Sequence, residues 1–132
     1  MGYAKAAEFN SYPGPRHVLE LAEQLNLTEQ QASRSKELFE AMRKDAVRLG
    51  QAIVEQEHAL NKLFALNVIG QKQLTEAIGQ IVVLQGELRT VHLSAHIEMK
   101  QLLTTEQIRK YDELRGYTAR QDSPNNEHQH KH

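Results

Sequence analysis

Leu27-Thr28-Glu29-Gln30-Gln31 and Leu103-Thr104-Thr105-Glu106-Gln107 are one short phrase written twice. In each, a threonine stands three residues ahead of a glutamine. The threonine hydroxyl can accept from the glutamine backbone N–H while the glutamine side chain reaches back to the threonine N–H, the reciprocal arrangement that starts a helix. Leu103 before the second cap and Ile108 after it add a hydrophobic staple. The spacing predicts a long helix starting at Thr28 and a short last helix running to about Arg115, where Gly116 can serve as C-cap.

Between the two phrases the apolar residues step by three and four. Phe39, Met42, Ala46, Leu49, Ile53, Gln56, Leu60 and Leu63 form one such seam, and Leu74, Ile78, Ile81, Gln85, Leu88, His92, Ala95, Met99 and Leu102 form another. Asn67-Val68-Ile69-Gly70 interrupts them and allows a reversal. The expectation is an antiparallel hairpin of two long helices in which facing residue numbers sum to about 140, pairing Gln56 with Gln85 as amides that bond each other and set the register or, alternatively, hold a polar ligand. Upstream, Pro13-Gly14-Pro15 opens a short helix over about Arg16 to Leu25, since proline fits a first helical position. No proline stands between Pro15 and Pro124, and no alternating run reads as a strand. The fold class is all-α, about four helices: residues 1–15 as an N-terminal extension, 16–117 as the hairpin domain and 118–132 as a polar, disordered tail.

Composition removes several classes of function. Lys and Arg total 16 against 17 Asp and Glu, so the chain lacks the basic field that holds a nucleic acid backbone. Apolar runs such as Ile81-Val82-Val83-Leu84 are far shorter than the roughly 20 residues that span a bilayer. With no cysteine there are no disulfides, thiolate nucleophiles or iron–sulfur ligands. No nucleophile elbow, phosphate-cradling loop or dinucleotide fingerprint occurs, so no enzyme is expected. A hairpin buries one stripe per helix and leaves Leu38, Phe64, Val82, Leu84 and Val91 off the seam, which predicts a homodimer.

Histidine is where chemistry could reside. His92 and His96 lie one turn apart on one helix face, with Met99 three residues further on. Two imidazoles and a thioether suit zinc, copper, nickel or cobalt; alternatively His92 and Met99 are seam residues and His96 a flanking polar one. Leu93 stands where a zinc peptidase needs its glutamate, which argues against that chemistry. Glu55-Gln56-Glu57-His58 is a single E-x-x-H, where di-iron bundles need two. His17 with Glu20, and the tail residues His128, His130 and His132, are further possible ligands.

The two L-T-x-x-Q phrases at the ends of a helical hairpin resemble the Spy and CpxP family of periplasmic stress proteins, with its zinc-resistance-associated and CnrX-type metal-sensor relatives. The resemblance covers about residues 12 to 117. It implies a hooked or intertwined dimer, a periplasmic location and no catalysis. Two roles follow from it: a metal-responsive stress protein reporting transition metals to a membrane signalling partner or, alternatively, a metal-independent chaperone binding unfolded clients. In the sensor branch histidines precede the first turn, a glutamate lies on the second helix, and a histidine four residues before a methionine precedes the last turn. Met99 falls at that methionine, Ala95 at that histidine with His96 one residue on, His17 near the first histidine with Leu21 one turn later, and Phe39 near the glutamate with Glu40 and Glu37 close by. The implied metal ligands are His92, His96, Met99, His17 and Glu40. The N-terminus has no basic flank or apolar core of a secretory signal, which for a periplasmic protein implies a mature or truncated form.

Overall fold

The computed structural model describes residues 4–117. They form α1 (Lys5–Glu8), α2 (Pro15–Glu20), α3 (Glu29–Ala65), α4 (Gln71–Leu102) and α5 (Thr105–Arg115), with no strand among the described residues. The two long helices pack against each other. The tail expected to be disordered, with its three histidines, lies outside the described residues.

Each boundary has a local cause. Thr104 is extended, accepts from Gln107 N at 3.1 Å, and receives Gln107 Oε1 on its own N–H at 2.9 Å. Thr28 and Gln31 repeat this pair at 3.0 Å both ways. The stops were less legible. Leu27 N–H bonds Ala22 O while Asn26 N–H bonds Glu23 O, with Asn26 at φ 55°. Val68 to Leu63 O, Asn67 to Phe64 O and Asn67 at φ 57° form the same motif at the end of α3. In both places an asparagine supplies the left-handed residue, as glycine does at Gly116 (φ 81°). The first helix was expected to reach about Leu25; regular α-helix ends at Glu20, and turns carry the chain on to Asn26.

The chain divides into two compact units: one made of its two ends, up to Glu40 and from Leu93, and one of Ala41–His92. The first contains the core. Val18, Leu25, Met99, Leu103, Tyr111 and Tyr117 are buried together, with Phe9, Leu21, Leu27, Leu38, Leu102 and Ile108 packed against them. At roughly 1.5–3 kcal/mol for each large apolar side chain removed from water, this cluster is the main stabilising element of that unit. The second unit buries only Leu49 and Ile81 among its apolar residues.

All eight expected seam positions of α3, Phe39 to Leu63, are buried or half-buried. On α4 two positions differ. Ile78 and Gln85 are exposed, and Ala77 and Leu84 are half-buried in their stead. Steps of three and four can pass from Ile81 to residue 84 or 85, and the helix turns the apolar one inward. The expected Gln56–Gln85 pair is therefore replaced: half-buried Gln56 shares a surface hollow with Gln80, Val83 and Leu84, and Gln56 with Leu84 keeps the sum of 140.

Candidate functional site

The amide pair expected in the seam exists elsewhere, between the two L-T-x-x-Q phrases. Gln31 Nε2 donates to Gln107 Oε1 at 2.8 Å, and Gln107 Nε2 returns a bond to Gln31 Oε1 at 3.0 Å. The second N–H of each goes to a carbonyl near the other phrase, Leu102 O for Gln31 at 2.9 Å and Leu25 O for Gln107 at 3.2 Å. Each Oε1 also accepts from its own threonine N–H. Both amides are thus satisfied at both N–H groups and both lone pairs. The glutamines that start α3 and α5 also clamp those helix starts together.

A second polar centre in the same unit was not anticipated, because the N-terminal segment has no periodicity from which to infer burial. Glu8, at the end of α1, is 9% exposed. Its carboxylate accepts from Tyr111 Oη at 2.8 and 3.0 Å, Tyr117 Oη at 2.7 Å and Gly14 N at 3.1 Å, with Arg115 Nε 3.9 Å away. Burial, and then the Glu8 charge beside them, push both phenols above the usual tyrosine range, so they remain donors at physiological pH. His96 is buried beside them. Its Nδ1–H donates to Tyr12 O at 2.7 Å and lies 3.6 Å from Glu8 Oε2. A Cβ on Gly14 would lie 2.7 Å from His96 Cε1, so glycine is required for this close approach. One residue further into α5, Asp112 Oδ2 accepts from Ser11 Oγ at 2.6 Å while its buried Oδ1 has no partner. Burial raises the Asp112 pKa, against a smaller lowering by the Ser11 bond.

The proposed metal ligands occupy different settings. Met99 is fully buried in the apolar core. His96 is engaged with Tyr12 and Glu8, and His92 Nδ1 lies 3.1 Å from Leu88 O of its own helix. His17 pairs with Glu20 at 3.0 Å and stands 3.4 Å from Arg115 Nη1. Glu40 is exposed on α3. No group of three or more His, Asp or Glu side chains among the described residues is arranged to hold a metal ion.

Apolar surface is concentrated on the hairpin unit. Val47 and Val54, seven residues apart on α3, Ile78, Val82 and Val83 on α4, and Phe64, Leu66 and Val68 at the turn are all exposed. Val83 borders the hollow of about 790 Å³ shared with Gln56, Gln80 and Leu84. No helix among the described residues is long and apolar enough to cross a membrane.

No curated protein and no solved structure gives a significant match to the chain. A family model described as LTXXQ motif family protein matches residues 15–115, most of the sequence. The motif in that description is the phrase whose glutamines, Gln31 and Gln107, lock together here. The family is one of generally non-enzymatic helical proteins, typically periplasmic and linked to stress or metals. On this match the chain belongs to the LTXXQ motif family, which covers the Spy/CpxP and ZraP-like periplasmic proteins.

Proposed function

We propose that the protein is a non-enzymatic periplasmic stress protein that holds non-native polypeptides on the apolar surface of its hairpin. The observation that carries this reading is Val83, exposed on α4 at the edge of a hollow that Gln56, Gln80, Leu84, Glu76 and Glu87 also line, with Ile78 and Val82 exposed on the other flank of the same helix. Apolar contact with flanking amides suits extended chains of many sequences, since it offers side-chain burial and backbone hydrogen bonding without a fixed code. Val47 and Val54, at a seven-residue step on α3, suit a second copy of the chain packing as in a coiled coil. The test is suppression of aggregation of a reduced, unfolding client protein. Val82→Ser with Val83→Ser should lose most of the suppression while keeping helical content; full suppression by this variant would refute the assignment.

The second reading is binding of zinc, copper, nickel or cobalt through His92, His96, Met99, His17 and Glu40. It is supported by the family match, whose members are linked to stress or metals, and by the one-turn spacing of His92 and His96 on α4. Calorimetric titration of protein ending near residue 120, which removes the tail histidines, decides it. Binding tighter than about 10 μM, around −7 kcal/mol, that is lost in His92→Ala with His96→Ala would support a metal-responsive role; no such binding excludes it.

A further inference from the structure

The end of the hairpin is unlike an ordinary helix–helix turn. Connections at protein surfaces are usually polar, yet residues 63–69 read Leu-Phe-Ala-Leu-Asn-Val-Ile. Phe64, Leu66 and Val68 are 54%, 60% and 55% exposed. The turn geometry does not account for this. The same motif ends the turns after α2 as Leu25-Asn26-Leu27, and there Leu25 is buried in the core and Leu27 packs against it. At Leu66-Asn67-Val68 the corresponding side chains face outward.

The charges around the turn are equally one-sided. From His58 to Thr75 there is no Asp or Glu, while Lys62 and Lys72 stand exposed on either side of the apolar tip. Further down the hairpin the exposed valines are interleaved with both signs, Asp45, Arg48, Glu55, Glu76 and Glu87 among them, as suits a protein partner. A cluster of Phe, Leu and Val side chains bracketed by lysines, without carboxylates, matches an anionic lipid interface: the apolar groups enter the headgroup–acyl boundary and the ammonium groups meet phosphate.

We propose that the α3–α4 turn, from Lys62 to Lys72, is a peripheral anchor that seats on an anionic membrane surface, with Phe64, Leu66 and Val68 inserted and the two lysines against the headgroups. This is attachment to one face of a bilayer and requires no spanning helix.

The chain has no tryptophan, so Leu66→Trp provides a sole indole reporter at the proposed contact. With vesicles of phosphatidylcholine and phosphatidylglycerol at pH 7.5, its emission should shift to the blue and be quenched by lipids brominated on the acyl chains. Vesicles of phosphatidylcholine alone should give little of either. In flotation of the otherwise unaltered full chain, Lys62→Gln with Lys72→Gln should weaken binding about 25-fold, roughly fivefold for each lysine near the surface. Phe64→Ser with Leu66→Ser should abolish it. Circular dichroism of both variants should match the parent, because every altered side chain is exposed. Absence of flotation with anionic vesicles, or binding unchanged in the variants, overturns the proposal. So does a fall in the light-scattering mass of the Phe64→Ser, Leu66→Ser variant without loss of lipid binding, which would make the turn an interface between copies.

Discussion

Gln31 and Gln107 are coupled through two direct bonds, and each supports a cap and a distant carbonyl as well. Truncating one leaves the other amide half-satisfied in a part-buried position, which costs more than the net value of the bonds lost. Gln107→Ala or Gln31→Ala should each cost about 2–3 kcal/mol in urea unfolding, whereas the double variant should cost at least ~1 kcal/mol less than their sum. Additive effects would show that the two caps act independently. Asp112 gives a pH-dependent prediction. An acid whose folded pKa is raised holds its proton more tightly folded than unfolded; its stabilising contribution is complete below the ordinary value of about 3.9 and is lost as pH rises through the raised value. Asp112→Asn should therefore be more stable than the parent at pH 7, by an amount that shrinks toward pH 4. A difference that does not vary with pH would contradict the burial of that carboxyl. The glutamine spacing was visible as two caps, but their mutual bond was not, since it joins residues 76 apart in the chain. Glu8 was less legible still: nothing in Lys5-Ala6-Ala7-Glu8 distinguishes a buried carboxylate from a solvated one.

At the scale of the elements, starts were easier to read than stops. A threonine three residues before a glutamine announces a helix start by chemistry contained within four residues. Asn26 and Asn67 end their segments through a left-handed conformation that asparagine tolerates but does not demand. Stability should reflect this. Gly116→Ala meets no neighbouring atom, so its expected cost of about 1–2 kcal/mol is conformational alone. Asn67→Gly should be neutral or slightly stabilising and Asn67→Val destabilising by about 1 kcal/mol or more, measured by thermal melting. Equal melting temperatures for the glycine and valine variants would deny the left-handed turn its role. The α4 seam shows the other limit of periodicity. Steps of three and four leave two registers open, and the preference for Leu84 and Ala77 over Gln85 and Ile78 emerges only when the helix faces its neighbour.

For the whole molecule, the division of burial matters most. The unit made of the two chain ends has a dense core, while Ala41–His92 buries two apolar residues and exposes Val47, Val54 and others. A second copy covering the Val47–Val54 row would restore the missing burial. The 15.1 kDa chain should therefore scatter light as a particle of about 30 kDa at micromolar concentration, as expected when two hairpins share one bundle. Val47→Asp with Val54→Asp should halve that mass; a 15 kDa parent would refute the pairing.

The bonds that close the first unit join residues far apart in sequence: Glu8 reaches Tyr111 and Tyr117, 103 and 109 residues away, and Gln31 reaches Gln107. Closing such long loops costs more chain entropy than pairing residues near each other in sequence. During synthesis from the N-terminus, Glu8 can meet His96 once α4 has emerged but lacks both of its tyrosine donors until α5 and Tyr117 follow. Loss of a few residues around Tyr111 should loosen α1 and α2 as well as α5, so that a protease that nicks α5 would next find cleavable backbone near Glu8, 103 residues away in sequence.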